Sequence, residues 1–175
     1  NFIKAKKSCI GYYCEISEIK ELVLKVDQIG KNIVLLVVKP SIIDNFCKSY
    51  GNALKKLSER HGFIIVNDTG LSNINYINKE DIEWSDIMTI YPNNFVCDNF
   101  EKIAFLSLKS NYNDHKNIIG QFSGFYKIDR VNISNKLNNI EDVKKCNLKN
   151  FDIVLLGNNV YSDKIINFIN QNMDL

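Results

Sequence analysis

Apolar positions along the chain fall into short continuous runs separated by stretches of helical period. Cys9-Ile-Gly-Tyr-Tyr-Cys-Glu15 reads as a strand. From Ser17 to Ile29 the apolar residues Ile19, Leu22, Val23, Val26 and Ile29 recur at helical spacing, with Ser17 as the expected cap and Gly30 as the stop. Ile33 to Val38 is apolar throughout, the pattern of a parallel strand covered on both faces. Ser41 to Arg60 reads as the longest helix, with Ile42, Ile43, Phe46, Leu54 and Leu57 inward, and Phe63 to Val66 as a third strand. Further strands are expected at Asp86–Ile90, Ile103–Leu108, Ile118–Phe122, Tyr126–Ile133 and Phe151–Leu156; Gly157 then ends the last of them and Ser162–Gln171 forms a closing helix.

Strands alternating with helices predict an α/β fold. Eight of them suggest a TIM-type (β/α)₈ barrel, trimmed because 175 residues fall short of the usual ~250. The gaps after strands four, five and six are too short for full helices, so those helices are expected to be shortened or missing. A doubly wound sheet competes, but its glycine-rich first turn is absent: Glu15-Ile-Ser-Glu18 follows the first strand. No linker, repeat or low-complexity tract divides residues 1–175, which read as a single domain.

Composition narrows the function classes. A net charge of +2 implies no strong electrostatic partner. The clusters Lys4, Lys6, Lys7 and Lys144, Lys145, Lys149 are too narrow for a nucleic-acid face. Five cysteines (Cys9, Cys14, Cys47, Cys97, Cys146), odd in number and without a CxxC pair, fit free thiols in a reducing, cytoplasmic compartment. His61 and His115 have no partners at zinc-ligand spacing, so no metal is expected; His61 reads as a helix-end residue. No apolar run approaches the ~18 residues of a membrane span. No signal peptide is visible, and Asn1 in place of Met fits a longer precursor. The 25 Asn and 25 Ile, with AT-rich codons, fit an AT-rich genome such as that of some large DNA viruses.

Several segments carry a family resemblance. They are Lys20-Glu-Leu-Val-Leu-Lys-Val-Asp-Gln-Ile-Gly30 with Ile33-Val-Leu-Leu36, Leu54-Lys-Lys-Leu-Ser-Glu-Arg-His-Gly-Phe-Ile-Ile65, Ile82-Glu-Trp-Ser-Asp-Ile-Met-Thr89 and Asp152-Ile-Val-Leu-Leu-Gly157. In order and spacing they resemble orotidine 5′-monophosphate decarboxylase over nearly the whole chain. That resemblance implies a lysine at the end of strand two, where Val37 stands. It implies Asp-x-Lys-x-x-Asp after strand three, where Asp68-Thr-Gly-Leu-Ser-Asn73 stands. The first aspartate is kept as Asp68, the lysine is replaced by Gly70 and the second aspartate by Asn73. The strand-one acid aligns with Glu15. The phosphate-binding arginine after strand eight is replaced by Asn158, and Ile133-Ser-Asn-Lys-Leu-Asn-Asn139 lacks the Pro-Gly turn that leads to the family's phosphate lid.

The implied chemistry is lost with these residues. Decarboxylation needs a preorganised ammonium to stabilise a developing carbanion and then to supply a proton. Gly70 offers neither, and Asn158 does not replace a bidentate guanidinium. Lys39 lies two residues beyond Val37, but Pro40 places it at the rim. Asp68 has two readings, a remnant catalytic carboxylate or a turn residue; Asn67-Asp-Thr-Gly70 is good turn chemistry and favours the second. Tyr12, Tyr13 and Phe125 read as core or pocket aromatics, and Trp84 as packing a helix onto the barrel.

The resemblance therefore implies a pseudoenzyme without cofactor, kept as a protein-interaction or structural scaffold. The family's dimer, completed across the interface by the aspartate that Asn73 replaces, implies self-association or another protein partner. The alternatives are a nucleotide- or phosphate-binding sensor and, more weakly, an enzyme of altered chemistry.

Overall fold

A computed structural model describes residues 6–71, 83–90, 104–107, 118–122, 126–128 and 131–173. Nine strands are present: β1 (Ile10–Cys14), β2 (Leu35–Val38), β3 (Ile64–Leu71), β4 (Ile87–Ile90), β5 (Ala104–Ser107), β6 (Ile118–Phe122), β7 (Tyr126–Ile128), β8 (Val131–Ile133) and β9 (Val154–Gly157). The α-helices are α1 (Ile19–Ile29), α2 (Lys48–His61), α3 (Ile140–Lys145) and α4 (Asp163–Asn172). The sheet order is β8-β7-β6-β5-β4-β3-β2-β1-β9. Pairing is parallel from β9 through β6 and antiparallel from β6 through β8. Two isolated parallel bridges, Ile133 to Ile153 and Leu137 to Leu156, link the β8 and β9 ends of that order. The amides of Ser134 and Leu137 donate to the carbonyls of Ile153 and Leu155 at 2.9 Å, and Gly157 N–H donates to Leu137 O at 3.0 Å.

Strand alternation sorts the side chains into two clusters. Ile10, Tyr12 and Cys14 of β1, Leu36 and Val38 of β2, Ile65 of β3, and Val154 and Leu156 of β9 pack against the helices. The alternate positions Leu35, Val37, Val66, Ile87, Ile133 and Leu155 form the second cluster, with Tyr13 packed against it. Both faces of β2 and β9 are therefore buried, which explains their unbroken apolar runs. Helix α1 covers the sheet with Ile19, Leu22, Val26 and Ile29, and α4 with Ile165, Ile166 and Ile169.

The α/β class holds, and several local expectations are corrected. The cap of α1 is Glu18, whose carboxylate accepts from the amides of Lys20 (3.0 Å) and Glu21 (2.7 Å); Ser17 does not serve. Gly30 is right-handed and opens a 3₁₀ turn rather than a left-handed stop. A Cβ there would lie 2.7 Å from the His61 ring, so its small size serves packing. The helix expected over 41–60 begins only at Lys48: Pro40–Ile42 is a 3₁₀ turn, Ile43 is extended and Asn45 has φ +52°. Gly62, at φ +69°, supplies the left-handed cap of α2. The single strand expected over 126–133 is a pair of short antiparallel strands, so the sheet has nine strands instead of eight. Helix α3, absent from the periodicity reading, is capped by Asn139, which accepts from the Asp142 amide at 2.8 Å.

The shortened links expected after strands four and five fall largely on residues 91–103 and 108–117, outside the described residues. After β6 the next strand is antiparallel to it, so no parallel crossover follows there. Trp84 is buried against Gly51 of α2, with Phe46 at 5.2 Å, so it packs against a helix, α2. His61 ends α2, its Nε2 lying 2.7 Å from Asp27 on α1. Among the described residues no helix is long and apolar enough to cross a membrane.

Candidate functional site

Parallel strands deliver their carboxyl ends to the same edge, which is where open α/β sheets and barrels place their chemistry. Five of the six positions singled out from the sequence lie along that edge of β1, β2, β3 and β9. The sixth, Asn73, lies outside the described residues, as do Cys97, His115 and Phe125.

Val37 is 1% exposed and stands in register between Tyr13 of β1 and Val66 of β3. Its side chain belongs to the second apolar cluster, so it closes the floor beneath the strand ends with hydrocarbon. Lys39 is exposed and precedes the 3₁₀ turn at Pro40, as its position before proline implied.

Asp68 is not in a turn. Strand β3 continues to Leu71, past a shift of register against β4 between Asn67 and Leu71. The strand holds Asp68 where both carboxylate oxygens are engaged. The Tyr13 hydroxyl donates to Oδ2 at 2.7 Å, and the Thr89 hydroxyl of β4 donates to Oδ1 at 3.0 Å. The Gly70 amide in turn donates to Thr89 Oγ1 at 2.9 Å. Gly70 itself has φ +63°, a left-handed value that favours glycine in this irregular stretch.

Glu15 follows β1 and forms an ion pair with Lys136, from the segment after β8. The Lys136 ammonium also lies 4.8 Å from the centroid of the Tyr13 ring. Such a contact adds ~0.5–1 kcal/mol at an exposed site and here ties the ion pair to the Tyr13–Asp68 group. Gly157 lies close by: a Cβ there would sit 3.3 Å from Asn138 Oδ1 and 3.6 Å from Glu15 Oε2.

Asn158 turns its carbonyl oxygen toward the protein. Asn158 Oδ1 accepts from the Tyr12 hydroxyl at 2.6 Å and from the Glu15 amide at 3.2 Å. Burial pushes the Tyr12 phenol well above its ordinary pKa, with the nearby Cys14 acting in the same direction, so it stays a donor. Tyr12 packs edge-on against Tyr161 at 5.2 Å in the helix-facing layer, while Tyr13 faces the second cluster. The two neighbouring tyrosines thus serve opposite faces of the sheet.

The sequence reading missed Thr89 and Lys136 and gave Tyr13 no polar role. Only Tyr13 carried a signal: it lies two residues before Glu15 and so shares its face. Among the described residues no three metal-ligating side chains come together. Chemically, the site holds a carboxylate bound by two neutral hydroxyls, a separate carboxylate–ammonium pair, and an apolar floor. No protein-family model matches the chain.

Proposed function

We propose that this chain is a trimmed (β/α)₈-type barrel of decarboxylase descent that has lost catalysis and acts as a protein-interaction or structural scaffold. Closure into a barrel is supported by the two parallel bridges between the β8 and β9 ends of the sheet, and by an inner cluster drawn from β2, β3, β4, β8 and β9.

The observation that carries the functional reading is the state of Asp68. Where the resemblance implies a carboxylate beside a lysine, Asp68 is held by Tyr13 and Thr89, and position 70 has no side chain. A carbanion-forming step at that edge has no ammonium from β3 to stabilise it. The ammonium of Lys136 is engaged with Glu15. Lys136 is the one specific observation that favours the second reading, a sensor that binds an anionic nucleotide without turning it over, because it brings a cation to the strand ends.

Calorimetric titration with uridine and orotidine monophosphates separates the two. The scaffold reading expects no saturable heat; saturable binding that disappears in Lys136→Ala transfers the site to the sensor reading. Turnover of orotidine monophosphate that is lost in Asp68→Ala overturns both.

A further inference from the structure

Helices α3 and α4 flank an open groove on the surface. Val143 and Ile165 form its buried floor. Ile140 and Phe168 stand along it 55% and 39% exposed, two of the three most exposed large apolar side chains among the described residues. Ser162, Lys144 and Lys164 complete the lining, and all three are exposed. The cavity measures about 290 Å³.

Neither lysine has a salt-bridge partner among the described residues. The acidic side chains of α3 are engaged elsewhere: Glu141 pairs with Lys145 at 3.4 Å, and Asp142 accepts from the Asn138 amide at 3.0 Å. Asp163, the acid next to Lys164, lines a different depression. Among the described residues the charged side chains lining the groove are the two lysines, one from each helix, so it offers apolar contact along its length beside positive charge. An apolar patch rimmed by charge of one sign is the complement of an amphipathic helix whose apolar stripe is flanked by carboxylates.

We infer that the α3–α4 groove docks an acidic amphipathic helix of a partner protein, with its apolar residues on Ile140, Val143, Ile165 and Phe168 and its carboxylates on Lys144 and Lys164. This names a partner class for the scaffold reading and rests on that reading only for its purpose. A nucleotide result that overturns the scaffold leaves the peptide result standing, and the converse also holds.

The probe is a synthetic helical peptide with leucines at i, i+3, i+4 and i+7 flanked by glutamates, set against a twin with lysines in place of the glutamates. Isoleucine and valine methyl NMR reports the contact. Binding of the glutamate peptide should shift Ile140, Val143 and Ile165, and the lysine twin should leave them unmoved. Lys144→Glu combined with Lys164→Glu should reverse the preference, weakening the glutamate peptide by about tenfold. Ile140→Ser, at a position more than half exposed, should weaken it without unfolding the chain. No binding, equal binding of both peptides, or shifts confined to other methyls overturns the inference. Concentration-dependent shifts of the same methyls without peptide assign the groove to a second copy of the chain and also overturn it. Shifts produced by phosphatidylglycerol vesicles but not by the glutamate peptide assign it to a membrane, with the same consequence.

Discussion

Removing one donor from Asp68 tests whether this carboxylate is a structural group. Tyr13→Phe keeps the ring in place and deletes only the hydroxyl that donates to Oδ2 at 2.7 Å. A hydrogen bond to a charged acceptor contributes about 1.5–3 kcal/mol in general. Both residues are half-buried, which lowers the expectation to about 1–2 kcal/mol. Tyr13 also sits under Lys136, so the single variant mixes two effects. A double-mutant cycle of Tyr13→Phe with Asp68→Ala isolates the shared bond. The coupling should reach ~1 kcal/mol or more. Urea unfolding followed by circular dichroism reads it: with a slope of about 2 kcal/mol/M, 1 kcal/mol moves the midpoint by about 0.5 M. Thr89→Val, at a fully buried position, should show its own coupling to Asp68 and cost more, because it also leaves the Gly70 amide without its acceptor. Additivity of Tyr13→Phe and Asp68→Ala within about 0.3 kcal/mol refutes the reasoning. Asp68 would then be a solvated carboxylate available to a ligand, and the scaffold reading would lose the observation that carries it.

Two further outcomes follow from packing and ionisation. Gly51→Ala should raise stability by about 1 kcal/mol on helix propensity alone, but the added Cβ falls on the indole of Trp84, which is 2% exposed and backed by Phe46. Overpacking of ~1–3 kcal/mol outweighs that gain, so the melting temperature should fall by a few degrees; a rise would mean that Trp84 gives way freely. Burial raises the thiols of Cys9 and Cys14 from 9.0 to about 11. Between those values the unfolded chain has released the protons that the folded chain keeps, so stability is intact below pH 9 and falls as pH rises toward 11. The loss at pH 10 should be about 1 kcal/mol per thiol. Chemical unfolding across pH 8 to 10 should therefore show a shallower decline in Cys9→Ala and Cys14→Ala than in the parent, and equal slopes would refute the assignment.

The parts of the fold that were legible in the sequence are those in which period and burial agree. Strands β1, β2 and β9 and helices α1 and α4 lie within a few residues of their expected positions because both sheet faces are apolar and each helix has one apolar stripe. The reading failed where a single residue's backbone overrode the pattern. Asn45, in a left-handed conformation, interrupts the apparent helix that Ile42, Ile43 and Phe46 suggest, yet Ile43 remains buried in the helix-facing cluster. The junction between β7 and β8 carries Asp129-Arg130, with none of the Gly or Asn signals that mark tight hairpins. Asn67-Asp-Thr-Gly70 was misread for the opposite reason: good turn residues lie within a strand, because β4 offers Thr89 as a partner for both Asp68 and Gly70. That partner is 21 residues away from Asp68, and Tyr13 is 55 away. Lys136 and Glu15 are 121 apart. Only the strand order brings such groups together, so no local pattern encodes the site.

The same contacts bear on how far the chain stands from a lysine-based site. A lysine at position 70 would have to adopt φ +63°, a left-handed conformation that costs a side-chain-bearing residue roughly 1 kcal/mol. It would also have to draw Asp68 away from Tyr13 and Thr89, leaving two hydroxyls to find new partners. A lysine at position 37 would enter the second apolar cluster between Tyr13 and Val66, where Val37 is 1% exposed, at the cost of several kcal/mol for burying an ammonium without an established partner. The neutral residues at these two positions and the hydroxyl partners of Asp68 therefore support one another. Introducing either charge alone works against contacts that hold the strand ends together, so the neutral residues at 37 and 70 are matched to the packing of β1 through β4 and not only to their own positions.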